Sequence, residues 1–144
     1  MDGKPRVYES AVIPAPREKV WERVRDFNAL PVWHPAIAKS ELEGGECVGC
    51  VRHFFLQDGA ELREKLLSLS DLDYACVYAI LESPMPLKDY VATLRLYEIT
   101  ATKQTFAEWF AYFDVTDPGA EAGTVETVHG VFRTGLESLV KFFA

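Results

Sequence analysis

The chain has 144 residues, 49% hydrophobic and 12% aromatic, which supplies one sizeable core, so residues 1–144 are expected to form a single domain. A formal net charge of −7, with no local cluster of Lys or Arg to offset it, argues against nucleic acid and anionic membrane surfaces as partners. The opening Met-Asp-Gly-Lys-Pro-Arg is not a signal peptide and no later run approaches the roughly 20 apolar residues of a membrane span, so a cytoplasmic protein is expected.

Val7–Ile13 is β-branched and aromatic enough for a first strand, which Pro14-Ala15-Pro16 ends. Pro16 then suits a helix start, and Val20, Trp21, Val24 and Phe27 recur at helical spacing with charged residues between them. Residues 28–35 hold at most one more irregular helical turn, because Pro31 and Pro35 break continuity; Trp33 is expected to plug a gap in the core. Residues 37–115 are strand-like runs separated by turn signals, and six strands in succession imply an antiparallel meander. Within them Cys47 and Cys50 form a lone CxxC. A structural zinc needs four ligands and the other candidates are scattered, so this is read as a turn running into a strand, with no metal.

Helical period returns after Asp117-Pro118-Gly119. Val125, Val128, Phe132, Leu136, Leu139 and Phe143 form one stripe on a long amphipathic helix. Gly130 and Gly135 sit in this helix at about 1 kcal/mol each against Ala, which suggests either space for a void or close packing on the sheet. The expected class is α+β: a seven-stranded curved antiparallel sheet around the long C-terminal helix, with two short helices after strand 1 closing one end.

The succession Ala15-Pro16-Arg17-Glu18-Lys19-Val20-Trp21, Arg25-Asp26-Phe27, Trp33-His34-Pro35, Val48-Gly49-Cys50-Val51-Arg52, Arg63-Glu64-Lys65-Leu66 and Ser83-Pro84-Met85-Pro86-Leu87-Lys88-Asp89-Tyr90, ending at Gly135-Leu136, resembles the START/birch-pollen-allergen (SRPBCC) superfamily. Within it the chain is similar to the polyketide cyclase/dehydrase type 2 group. The resemblance implies a helix-grip fold with an internal cavity for a small hydrophobic or aromatic molecule, gated by loops 56–60 and 82–89, needing no cofactor, and a homodimer formed beside the gates. Plant abscisic acid receptors look similar in the same segments, but their gate and latch signatures are absent. The lachrymatory-factor synthases of the family move protons with an inward arginine and glutamate, and Arg52 and Glu64 match those positions.

Strand phase tests this placement. Glu64 alternates with Leu62 and Leu66 and so shares the apolar face. Asp58-Gly59 allows a two-residue turn that puts His53 opposite Glu64, or a three-residue loop that puts Arg52 opposite Glu64, Phe54 opposite Leu62 and Leu56 opposite Ala60. The second register matches apolar with apolar and pairs the charges, so it is preferred. Tyr90 alternates with Ala92, Leu94 and Leu96, and Tyr78 with Cys76 and Ile80; both are candidates to orient a ligand oxygen. Met85 and Leu87 from the second gate, Trp109, and Phe132, Gly135 and Leu136 from the helix complete the expected walls. The phase of the strand carrying Trp109 cannot be read among its aromatics. His34 is read as a capping or surface residue, and His129 as pointing to solvent. Three functions stay open: a binding module; a cofactor-free cyclase, dehydratase or isomerase with Glu64 as acid or base and Arg52 as oxyanion or carboxylate binder; and a protein-interaction domain with a collapsed cavity.

Overall fold

A computed structural model describes residues 3–144. The chain runs β1 (Val7–Ile13), α1 (Arg17–Val24), α2 (Leu30–Trp33), β2 (Ile37–Glu43), β3 (Val51–Leu56), β4 (Glu61–Ser70), β5 (Ala75–Glu82), β6 (Leu87–Ile99) and β7 (Gln104–Val115). A short 3-10 turn, Pro118–Ala120, then leads into the long helix α3 (Glu121–Phe143). Strands β2 to β7 form an antiparallel meander, and β1 joins it beside β7, giving the order β1-β7-β6-β5-β4-β3-β2 in one curved sheet.

Alternation along the two longest strands gives the sheet one apolar face. Tyr90, Ala92, Leu94 and Leu96 of β6, and Ala107, Trp109, Ala111 and Phe113 of β7, are all buried. Register shifts interrupt the ladders between Arg63 and Glu64, between Leu66 and Ser68, and between Lys88 and Val91; such irregularities sharpen twist and bend a sheet. The last of them contains Asp89, whose φ of +55° lies in the left-handed region.

Into this concave face α3 lays Val128, Phe132, Leu136 and Leu139. It crosses β1 and β7, while α2 packs between β2 and α3. Helix α1 is tied to the β4–β5 turn, where the Asp71 carboxylate accepts from Trp21 Nε1 at 2.7 Å and from Arg25 Nε at 2.8 Å. Trp33 is buried in the core, as its sequence setting implies.

The β3–β4 hairpin takes the three-residue register. Arg52 stands opposite Glu64 and Phe54 opposite Leu62, while Leu56 donates its backbone N–H to the carbonyl of Ala60 at 2.8 Å. Gly59 has φ +91°, where a side chain would be strained. His53 accordingly faces outward and bonds the Glu61 carboxylate, in a surface charge array with Glu43 and Arg63.

Candidate functional site

Between the middle of α3 and strands β3 to β6 lies a cavity of about 210 Å³. Its walls are mostly apolar: Phe54, Leu62 and Ile80 from the sheet, Val128 and Phe132 from the helix. Loop 56–60 contributes Leu56, Asp58 and Ala60, and loop 82–89 contributes Pro84 and Met85, so both segments expected to act as gates border the space.

Two charges project into this apolar setting from neighbouring strands. Arg52 donates from Nε to Glu64 Oε1 at 2.8 Å, and its NH2 nitrogen lies 2.7 Å from the same oxygen. NH1 donates to the Phe27 carbonyl at 3.2 Å. The guanidinium carbon sits 4.0 Å from the ring centroid of Phe27 and 4.7 Å from that of Tyr78. Arg52 is thus held from both ends, by a carboxylate and by π-faces that favour a cation. The other carboxylate oxygen, Glu64 Oε2, receives no hydrogen bond from any described residue.

Each side chain is only 5% exposed. Burial raises the Glu64 carboxyl above its ordinary pKa, against the downward pull of Arg52, so the proton is held more tightly than on a solvated glutamate. Burial also drives the phenols of Tyr78 and Tyr90 upward, with Glu64 adding to the effect on both. Both tyrosines therefore remain neutral hydrogen-bonding groups. Trp109 Nε1 donates to the Tyr78 hydroxyl at 3.0 Å, which fixes the orientation of that indole. Cys76, on the same face of β5, has its thiol pushed up to about 11 by burial and is not a thiolate.

His34 corrects the sequence reading. It does cap α2, donating its backbone N–H to the Leu30 carbonyl at 2.9 Å, but it is 1% exposed and its ring lines the cavity instead of lying at the surface. Its Nδ1 accepts the backbone N–H of Ala36 at 3.2 Å, which leaves Nε2 to donate to the Val131 carbonyl at 2.7 Å and fixes the tautomer. Desolvation lowers its pKa, and nearby Arg52 pushes the same way, so the imidazole is neutral. Sequence alternation cannot find it, because it sits at the end of a four-residue helix; its place in Trp33-His34-Pro35 was the available signal.

Three residues expected as walls lie outside the cavity. Gly135 faces the rings of His34 and Trp109, and an added Cβ would come within 2.7 Å of both, so at this turn the helix is pressed onto the core. Leu136 is buried beyond that closure, at 2% exposure, in the solid part of the core. Leu87 precedes the irregularity between Lys88 and Val91 that resets the alternation, and it stands opposite Val115 at the sheet's end. The void does not arise from Gly130 either, whose missing Cβ would point into open space. His129 is half-buried instead of free in solvent, with Nδ1 2.7 Å from Glu9 Oε2. Among the described residues no group of three or more His, Cys, Asp or Glu is placed to hold a metal, and Cys47 and Cys50 are both free thiols.

Solved structures with this architecture include the protein XoxI from Bacillus cereus, 29% identical over 95% of this chain and 94% of that one, with a TM-score of 0.88. An uncharacterised protein from Bacillus thuringiensis is 30% identical over 95% and 97%, with a TM-score of 0.87. A protein from Nitrosospira multiformis is 30% identical over 96% and 95%, with a TM-score of 0.83. A family model described as "Polyketide cyclase / dehydrase and lipid transport" matches residues 4–143. With that match over nearly its whole length, the chain belongs to the polyketide cyclase/dehydrase and lipid transport family, within the SRPBCC superfamily.

Proposed function

We propose that the protein binds a small hydrophobic or aromatic molecule in the cavity between the sheet and α3, admitted between loops 56–60 and 82–89. The observation that carries this reading is the cavity itself: a mostly apolar space of about 210 Å³ bordered by both loops, whose charged lining is one buried ion pair and Asp58 of the first loop. A protein-interaction domain whose cavity is filled by its own aromatics fits this space less well. Native mass spectrometry of the purified protein, followed by identification of any released small molecule, tests the reading. A stoichiometric apolar adduct is expected. Absence of any adduct, together with failure to displace a cavity-seeking dye, removes it.

One observation favours a second reading, a cofactor-free cyclase, dehydratase or isomerase. Glu64 has a raised pKa and an oxygen with no partner among the described residues, both of which suit a general acid or base. Arg52 would then hold Glu64 in place through Nε and NH2 and still have two of its five N–H donors for a substrate oxygen. Glu64→Gln keeps the shape and removes the proton transfer. If it binds ligand like the wild type while turnover of the co-purifying class falls at least a hundredfold, catalysis stands. Equal turnover sinks it.

A further inference from the structure

The hydrogen-bonding capacity left unspent inside the cavity selects a ligand class. His34 uses both ring nitrogens on backbone groups, and the Tyr78 hydroxyl already accepts from Trp109. Arg52 directs Nε and NH2 to Glu64 Oε1 and NH1 to the Phe27 carbonyl, which leaves one N–H on each terminal nitrogen for a ligand oxygen. The acceptor that faces the cavity without a partner among the described residues is the second oxygen of Glu64; beside it stand the remaining Arg52 N–H groups and the hydroxyls of Tyr78 and Tyr90, which bond each other. A carboxylate oxygen is an acceptor, so its complement is a donor on the ligand.

Charge narrows the class further. The positive charge of Arg52 is balanced by Glu64, and the remaining charged side chain bordering the cavity, Asp58, is also acidic. An anionic ligand would therefore add an uncompensated negative charge among apolar walls, whereas a neutral donor would satisfy the open acceptor. Size sets the last limit. A cavity near 150 Å³ holds benzene, about 25 Å³ per heavy atom, so about 210 Å³ corresponds to about eight heavy atoms. A long acyl chain or a fused-ring polyketide exceeds this about twofold or more.

We propose, resting on the ligand-binding reading above, that the cavity takes a neutral single-ring phenol or a comparably small alcohol, seated with its hydroxyl donating to Glu64 Oε2 and its ring between Phe54 and Phe132. Lipids and polycyclic ketides exceed this space and are expected to bind more weakly than the single-ring guest.

The test is a matched series titrated at neutral pH against the intact protein by calorimetry: 4-methylphenol, toluene, 4-methylbenzoate and palmitate. The expected result is 4-methylphenol binding at least about ten times more tightly than toluene, with 4-methylbenzoate and palmitate weaker than toluene. The double substitution Arg52→Met/Glu64→Leu removes both charges together and is expected to bind toluene while losing the tenfold preference. Should that variant not fold, the wild-type series decides alone. Toluene equal to 4-methylphenol, or tighter binding of 4-methylbenzoate or palmitate, overturns the assignment but leaves a ligand-binding cavity. If none of the four binds and no small molecule co-purifies, both the assignment and the reading beneath it fall.

Discussion

At the residue scale the site turns on two buried side chains, of which Glu64 has only Arg52 to balance its charge while Arg52 also has the Phe27 carbonyl and two aromatic faces. Arg52→Leu would strand Glu64 in an apolar wall, and a loss of about 3–5 kcal/mol in urea-derived stability is expected. Arg52→Met/Glu64→Leu should recover most of that loss, because two well-packed apolar groups need no partner. If the double variant is no more stable than the single one, the pair holds the sheet together in a way that hydrophobic packing cannot replace. His34 makes a separate, pH-dependent contribution. Its folded pKa is depressed below the ordinary 6.5, so the unfolded chain binds the extra proton first. Stability from this residue is fully present above 6.5 and is lost as pH falls through the depressed folded value. Glu64 works in the opposite sense at lower pH: its folded pKa is raised, so its contribution is full below the ordinary 4.5 and is lost as pH rises through the folded value. The measurement is therefore a difference: wild type should lose more stability than His34→Gln between pH 7 and 5. Parallel slopes for the two proteins would show that the imidazole is not held neutral.

At the element scale, two of the three glycines of α3, Gly130 and Gly135, stand in opposite circumstances. Gly135 presses against His34 and Trp109, where a methyl group would meet ring atoms at 2.7 Å, whereas Gly130 has nothing within 4 Å of the same position. Gly130→Ala should stabilise the protein by about 0.5–1 kcal/mol through helix propensity. Gly135→Ala should destabilise it by about 1–3 kcal/mol through overpacking, since two rings hydrogen-bonded to Val131 and Tyr78 would have to move. Thermal melts of the two variants check both signs, and equal shifts would contradict the packing at Gly135. This contrast was not legible in the sequence, where both glycines simply interrupt one apolar stripe. The β3–β4 register was legible, because a one-residue slip exchanges faces: only the three-residue loop sets Phe54 against Leu62 and Arg52 against Glu64. His34 stayed hidden because its anchor is a carbonyl 97 residues away, and side-chain period says nothing about such a partner. Leu87 was misplaced because it was assigned as part of the second gate loop, whereas it opens β6 and pairs with Val115 at the end of the sheet.

At the scale of the whole molecule, the curved sheet and the long helix meet tightly at one end and stay apart at the other. His34, Trp109 and Gly135 mark the closed end, and the two loops border the open space. At about 24 cal/mol per Å³, a void of about 210 Å³ corresponds to about 5 kcal/mol of packing left unmade, a large share of the roughly 5–15 kcal/mol of a typical domain's stability. A guest that fills this space therefore stabilises the folded chain by mass action, and an internal substitution that fills it should do the same while shutting the guest out. Val128, on the helical wall, is the position to try, because it is 2% exposed to solvent yet borders the cavity. Val128→Phe should leave stability unchanged or raise it by up to about 2 kcal/mol, as cavity-filling substitutions do. The same variant should bind 4-methylphenol or any co-purifying ligand at least about ten times more weakly than wild type. A loss of about 1–3 kcal/mol instead would be the mark of an overpacked core, meaning that sheet and helix close on each other in solution. Unfolding in urea and titration of the same protein sample give both quantities, and only the combination of retained stability with lost binding agrees with a cavity kept open for a guest.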